Sequence, residues 1–161
     1  MTDTMSREMR SSVMSRIRGS NTTPERYVAS LLTAGKIGFR QQDPELPGRP
    51  DLVFDRARVA VFIEGDFWHG WRFPQWCHKL PPKWRTKIEM NRLRDTRNHR
   101  KLRRNGWRVL RIWEHQVETN LLQCITKILD CIGVKRADWA GIKVCYAKLP
   151  QIKRRNHLPK P

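Results

Sequence analysis

Residues 48–70 read GRPDLVFDRARVAVFIEGDFWHG, and the fold turns on how this stretch is taken. Pro50 fixes its own φ and disfavours helix in the residue before it, so Asp51 opens a strand. The run Arg58–Glu64, RVAVFIE, is rich in β-branched and aromatic residues and apolar for five positions, the composition of a buried strand. Two such strands bring Asp51, Glu64 and His69 to one place, with Phe67 and Trp68 beside them. A carboxylate at the end of a buried strand is costly to bury alone, and a metal ion is the kind of partner that answers the cost. The bland alternative is a pair of core strands with exposed polar ends.

Upstream, Thr23-Pro24-Glu25 starts a helix, with Thr as N-cap, Pro at the first helical position and an acid in the first turn. Val28, Leu31 and Leu32 form its buried face, and Gly35 ends it. Glu25 sits at the edge of that face, where a helix-dipole role alone would explain it. Ile37–Gln42 reads as an edge strand, followed by the turn Pro44–Gly48.

Downstream, residues 70–83 are irregular, and a long basic helix runs from about Trp84 to Arg104, closed by Asn105-Gly106. Trp84, Ile88, Asn91, Asp95, Asn98 and Leu102 advance by 4, 3, 4, 3 and 4, which is one helical stripe. Asp95 therefore shares an inward face with Ile88 and Leu102, and needs a partner such as His69 or an Arg. Trp107–Trp113, WRVLRIW, is a further strand, and Leu121, Ile125, Ile128 and Ile132 mark a helix from about Val117 to Cys131. The stretch after it holds one short strand and a basic tail. The order α-β-β-β-α-β-α indicates an α/β or α+β domain around a mixed sheet.

The 161 residues fit one domain with a real core. Thirty-three Lys and Arg against fifteen Asp and Glu leave a formal charge of +18, which points to a polyanion, most simply nucleic acid. An anionic membrane competes, but the sequence has no 18-residue apolar stretch and no signal peptide. The four cysteines, Cys77, Cys124, Cys131 and Cys145, show no CxxC pattern, so reduced thiols in a cytoplasmic protein are expected. Several of the seven Trp lie among Arg, Lys and His, which suits stacking on bases, although core packing is the default for any one of them.

The chain resembles the very-short-patch (Vsr) mismatch endonucleases, a variant branch of the restriction-endonuclease-like fold. The shared residues are Met14, Thr23-Pro24-Glu25, Leu46–Asp51, Gly65, Phe67-Trp68-His69, Trp84, Lys87-Ile88, Asn91, Arg94-Asp95, Gly106–Leu110 and Trp113-Glu114. Asp51 with Glu64 is also the outline of the PD-(D/E)xK nuclease pattern, with Asp66 where its Lys usually stands. Related homing-type nucleases share a Glu, Asp, variable, His, Asp signature, here Glu25, Asp51, Glu64, His69 and Asp95.

The resemblance implies a three-layer fold, a central mixed sheet flanked by helices. It divides the chain into a basic DNA-contacting segment (1–20), a nuclease domain (21–135) and a basic extension (136–161). It implies Mg2+ held by Asp51, by a backbone carbonyl near Ile63 or Glu64, and by Glu25 through water. His69 would be general base or acid, oriented by Asp95. Phe67, Trp68 and Trp84 would wedge beside a mispair, Met14 would approach from the opposite groove, and Arg49 would contact DNA.

Two departures matter. Glu64 stands where well-known members have His, and an added carboxylate would favour a divalent metal, one ion or two. The family's zinc ligands fall where this chain has Asp66, Trp71 and Phe73, with His115 at the last one, so either Asp66, Cys77, His78 and His115 build a reorganised zinc site, or packing of Trp71, Phe73 and Trp76 replaces it. The implied activity is Mg2+-dependent nicking of double-stranded DNA at T:G mismatches. The enzyme would be a monomer in the bacterial nucleoid, working with other mismatch-repair proteins. Two alternatives are a homing, restriction or relaxed-specificity nuclease of the same kind, and a DNA-binding module without catalysis.

Overall fold

The computed structural model describes residues 20–134 and 137–150. Its elements are α1 (Thr23–Ala34), β1 (Arg40–Gln41), β2 (Leu52–Phe54), β3 (Val59–Glu64), α2 (Phe73–Trp76), a 3-10 turn (Cys77–Lys79), α3 (Pro82–Arg104), β4 (Arg108–Trp113), α4 (Glu114–Ile132) and α5 (Trp139–Lys148). The four strands form one mixed sheet in the order β1-β2-β3-β4. Neighbours are antiparallel except β3 and β4, which run parallel across the α3 crossover.

All six residues of β3 are buried, as its apolar run requires of a strand covered on both faces. Alternation splits them. Val59, Val61 and Ile63 join Leu52 and Phe54 against α1, α4 and Ile142 of α5. Ala60 and Phe62 face the other way and pack with Val53, Leu102 of α3 and Trp107. Glu64, in phase with Phe62, therefore points at the α3 layer. The result is the expected three layers, a mixed sheet between helices.

The predicted α3 stripe is correct in register: Ile88 and Leu102 are fully buried, while Asn91, Asp95 and Asn98 lie half-buried between them. Helix α1 ends at Gly35 as read, and its N-cap is Thr22 rather than Thr23. Residues 73–79, read as irregular, hold a short helix and a 3-10 turn. The stretch read as one short strand near the C-terminus is helix α5 instead. Asp138 caps it by accepting from Gly141 N–H, and Ile142 is wholly buried beneath Gly35. No helix among the described residues is long and apolar enough to cross a membrane. The segment 1–19, with Met14, and the tail from 151 lie outside the described residues.

Candidate active site

Asp51 stands just before β2, one alternation from Val53, so its side chain belongs to the α3 face. Its N–H donates to Val61 O, and its Oδ2 accepts from Ile63 N–H at 2.7 Å. Ile63 thus meets Asp51 through its amide. Glu25 approaches from the start of α1. Its carboxylate accepts from Asn21 N–H (2.7 Å), the Thr22 hydroxyl (2.8 Å) and Gln42 Nε2 (3.1 Å), all neutral donors. Burial and the nearby Glu25 charge push the Asp51 carboxyl from 3.8 up to about 7, against the Ile63 amide and His69. Two buried acids in mutual repulsion, braced by neutral donors, form a set of oxygen ligands that a divalent cation would suit. Hard oxygen ligands of this kind fit Mg2+.

His69 lies on the loop from β3 to α2, and α3 pins that loop. Asn91 Nδ2 donates to Trp68 O at 3.1 Å. Gly70 has φ +68, and a Cβ there would stand 2.7 Å from Arg92 Cδ, so the loop can approach α3 this closely only with glycine. His69 Nδ1 is 2.7 Å from Asp95 Oδ2, and Arg94 Nη2 is 3.3 Å from the other Asp95 oxygen. Both partners anticipated for an inward Asp95 are therefore present. Burial alone would lower the His69 pKa, but the Asp95 hydrogen bond and the Glu64 and Asp95 charges outweigh it and raise it. Burial pulls Asp95 the other way, upward, and the His69 bond and Arg94 hold it below the usual carboxylate range. With Nδ1 committed to Asp95, Nε2 is the nitrogen left for substrate.

Glu64 is 2% exposed. Its Oε2 accepts from both Nε (2.8 Å) and Nη2 of Arg111, and its Oε1 lies 3.7 Å from His99 Nε2. Burial raises the Glu64 pKa despite Arg111. Burial and the Arg111 charge push His99 down to about 4, so that ring is neutral at pH 7. Glu64, His69 and Asp95 each offer a ligand atom within 4.8 Å of the others, so this trio is a second place where a divalent ion could sit. Asp51 is not one of the three. Sharing of one ion by Asp51 and Glu64, anticipated from the strand ends, thus has a rival in the Arg111 pair.

An open cavity of about 420 Å3 fronts this group, lined by His69, Glu89, Arg92, Leu93, Asp95, Thr96 and Arg111. Beside it stands an aromatic wall. Trp68 and Trp84 are 5.5 Å apart with Lys87 Nζ over both rings, at 5.2 and 5.5 Å. Phe67 stacks on Trp76 at 5.7 Å and packs against the Phe73–Ile88 cluster, so it is bound into a core in a way that Trp68 is not. Arg49 is exposed, its Nε donating to Gln42 O at 3.3 Å.

Of the four residues considered for zinc, two come together: His115 Nδ1 lies 2.6 Å from Asp66 Oδ1, with Trp71 packed 4.8 Å from the His115 ring. Cys77 Sγ instead points at Pro74 O, and His78 is exposed. Among the described residues these four form no three-ligand group. Trp71, Phe73 and Trp76 pack as the alternative required: Trp76 Nε1 donates to Trp71 O at 2.7 Å, and Phe73 meets Trp76 edge-on. All four cysteines are unpaired.

Sequence reasoning missed Arg111, His99 and Gln42. Arg111 aligns with Phe62 in the parallel register, which puts it on the α3 face, but no single strand announces its partner's register. His99 lies one position beyond Asn98, off the periodic stripe, yet is buried.

A mixed sheet flanked by helices, with buried acids at its strand ends and a His–Asp pair between the following loop and α3, is the architecture of a restriction-endonuclease-like domain. Residues 2–75 match the family described as DNA mismatch endonuclease Vsr. The type II nicking enzyme V.XorIIP of Xanthomonas oryzae pv. oryzae is 42% identical over 116 residues, 71% of this chain and 85% of that protein. The DNA mismatch endonuclease Vsr of Escherichia coli is 41% identical over 118 residues, 71% and 74% of the two chains. The type II nicking enzyme V.NmeDIP of Neisseria meningitidis serogroup C is 31% identical over 137 residues, 83% and 93%. The chain belongs to the Vsr endonuclease family.

Proposed function

We propose that this protein is a Mg2+-dependent, strand-specific DNA endonuclease that nicks at T:G mismatches in very-short-patch repair. The observation that carries it is the buried Asp51–Glu25 carboxylate pair near the His69–Asp95 dyad, which lines an open cavity. A divalent ion held by Asp51, with Glu25 behind it, would supply Lewis-acid polarisation of the scissile phosphate and charge relief for the leaving oxygen. The chain's own groups do the rest. Asp95 fixes the His69 ring through Nδ1, so neutral His69 takes a proton at Nε2 and the cation returns one. Ile63 N–H and the neutral donors around Glu25 hold the two carboxylates in place. Trp68 and Trp84, backed by Lys87, offer flat surfaces for an unstacked base pair, and unstacking costs least at a mismatch. Double-stranded DNA is the partner the +18 charge suits, and a monomer working beside other repair proteins in the bacterial nucleoid is the setting.

A second reading is a nicking enzyme of other or relaxed specificity. It is favoured by Phe67, whose stack on Trp76 leaves fewer rings to read a mispair. Nicking of end-labelled duplexes carrying each mispair in varied contexts, with Mg2+ or EDTA, decides between the two. Cleavage of one strand at T:G alone supports the first; equal cutting of several mispairs or of perfect duplex supports the second. Binding without any metal-dependent cut would mark a DNA-binding module and overturn both.

A further inference from the structure

We propose that Arg111 is a phosphate-binding residue of this site and that Glu64 positions Arg111 rather than holding the metal. This rests on the reading of the site as a DNA-cleaving centre.

The geometry begins with register. Phe62 pairs with Arg111 and Glu64 with Trp113 along the parallel β3–β4 ladder, so Arg111 and Glu64 stand diagonally on one face. Arg111 donates through Nε and Nη2, both to the single oxygen Oε2 of Glu64. Nη1 is left unused by Glu64, while the Arg111 side chain, 38% exposed, lines the cavity that His69 and Asp95 also line. The guanidinium carbon lies 4.8 Å from the centre of the Trp113 ring, which supports one face of the fork. A planar guanidinium held on one edge by a buried carboxylate and on one face by an indole is oriented before any ligand arrives. Its free donors suit a phosphate oxygen better than a lysine would, because the fork fixes direction as well as charge.

The charges argue the same way. Glu64 already has a cation in Arg111, with the His69 ring also near it, and its other oxygen faces neutral His99. A metal ion on Glu64 would have to share that carboxylate with a guanidinium at hydrogen-bond distance. Within the same trio His69 Nδ1 is already committed to Asp95. Among the described residues no Lys or Arg is bonded to Asp51 or Glu25, whose hydrogen bonds come from neutral donors, so the ion is assigned to that pair. A carboxylate and an arginine then act together: the acid sets the angle of the base, and the base meets the phosphate beside His69.

The test uses the full-length protein, a fluorescent mismatched duplex and four variants: Arg111→Met, Arg111→Lys, Glu64→Gln, and the double variant Arg111→Met with Glu64→Gln, which leaves no uncompensated buried acid. Anisotropy in EDTA at several salt concentrations reads phosphate contact without catalysis. Arg111→Met and the double variant are expected to bind more weakly and to lower the log–log salt slope by about 0.9, the value of one phosphate. Arg111→Lys is expected to keep the slope and lose nicking rate, because it keeps the charge and loses the fork. Glu64→Gln is expected to slow nicking while leaving the Mg2+ concentration for half-maximal rate where it is in the wild type. An unchanged salt slope in the double variant overturns the phosphate role, and a several-fold rise in the Mg2+ requirement of Glu64→Gln overturns the positioning role. If the wild type binds but never cuts, the nuclease reading fails by itself, and the slopes measured in EDTA still decide whether Arg111 contacts phosphate.

Discussion

Asp51 is held against its own charge, since burial and Glu25 both oppose it. Changing it to Asn removes the charge, keeps the shape and leaves an oxygen to accept from Ile63 N–H. Asp51→Asn is therefore expected to lose nicking by several orders of magnitude while binding mismatched duplex as tightly as the wild type or more so, because an anion facing phosphate has gone. Nicking and anisotropy on one preparation check this, and near-normal cleavage would remove Asp51 from the mechanism. The aromatic residues separate in the same manner. Phe67 is stacked on Trp76 within an apolar cluster, whereas Trp68 touches Trp84 and Lys87 at the edge of the site. Phe67→Ala should thus lower the melting temperature. Trp68→Ala should instead reduce the preference for mismatch over perfect duplex, a base stack being worth ~1–3 kcal/mol. Equal loss on both duplexes for Trp68→Ala would make that ring structural.

Helix α3 shows how far a sequence discloses a site. Its stripe from Trp84 to Leu102 was legible because burial on one helical face imposes a period, and Asp95 falls on that period. Asp51 and Glu64 were legible because a buried apolar run breaks into polar residues at its ends, with His69 close behind on the same stretch. What β4 adds was not legible. Arg111 faces α3 only because β3 and β4 align Phe62 with it, and a parallel register set by a long crossover leaves no local signature. Helix α5 was misread as a strand for a related reason: Val144, Tyr146 and Trp139 are substantially exposed, so only Ile142 reports the buried face. The same helix α3 gives a prediction in pH. Asp95 raises the His69 pKa through its hydrogen bond and charge, so Asp95→Asn should lower it. If neutral His69 is the base, the acid limb of kcat/KM moves to lower pH in that variant, and the plateau falls because the ring is less well oriented. An unmoved limb would assign the titration to another group.

For the molecule as a whole, the site sets a slope of stability against pH that the net charge of +18 alone would not give. Asp51 keeps its proton in the folded protein up to about 7, whereas its ordinary value is 3.8. Between those values the folded state binds more protons than the unfolded chain, so stability falls as pH rises. His69 contributes with the same sign. Its folded pKa is raised, so the stability it gives is complete below the unfolded value and is lost as pH climbs through the folded one. In EDTA the melting temperature should therefore decline from about pH 4 to about pH 7, the window the Asp51 shift defines, with His69 adding to the fall above its ordinary value of 6.5. An ion held by the ionised carboxylate would stabilise by mass action, so the effect of added Mg2+ on the melting temperature should grow across that window. Asp51→Asn should flatten the Asp51 share of the slope and abolish most of the Mg2+ effect, while Asp95→Asn should reduce only the His69 share. Differential scanning calorimetry of the three proteins, with and without Mg2+, separates these contributions. A slope in Asp51→Asn equal to that of the wild type would show that the Asp51–Glu25 pair is not where the protein is destabilised. A Mg2+ effect that survives Asp51→Asn would move the ion to Glu64, His69 and Asp95.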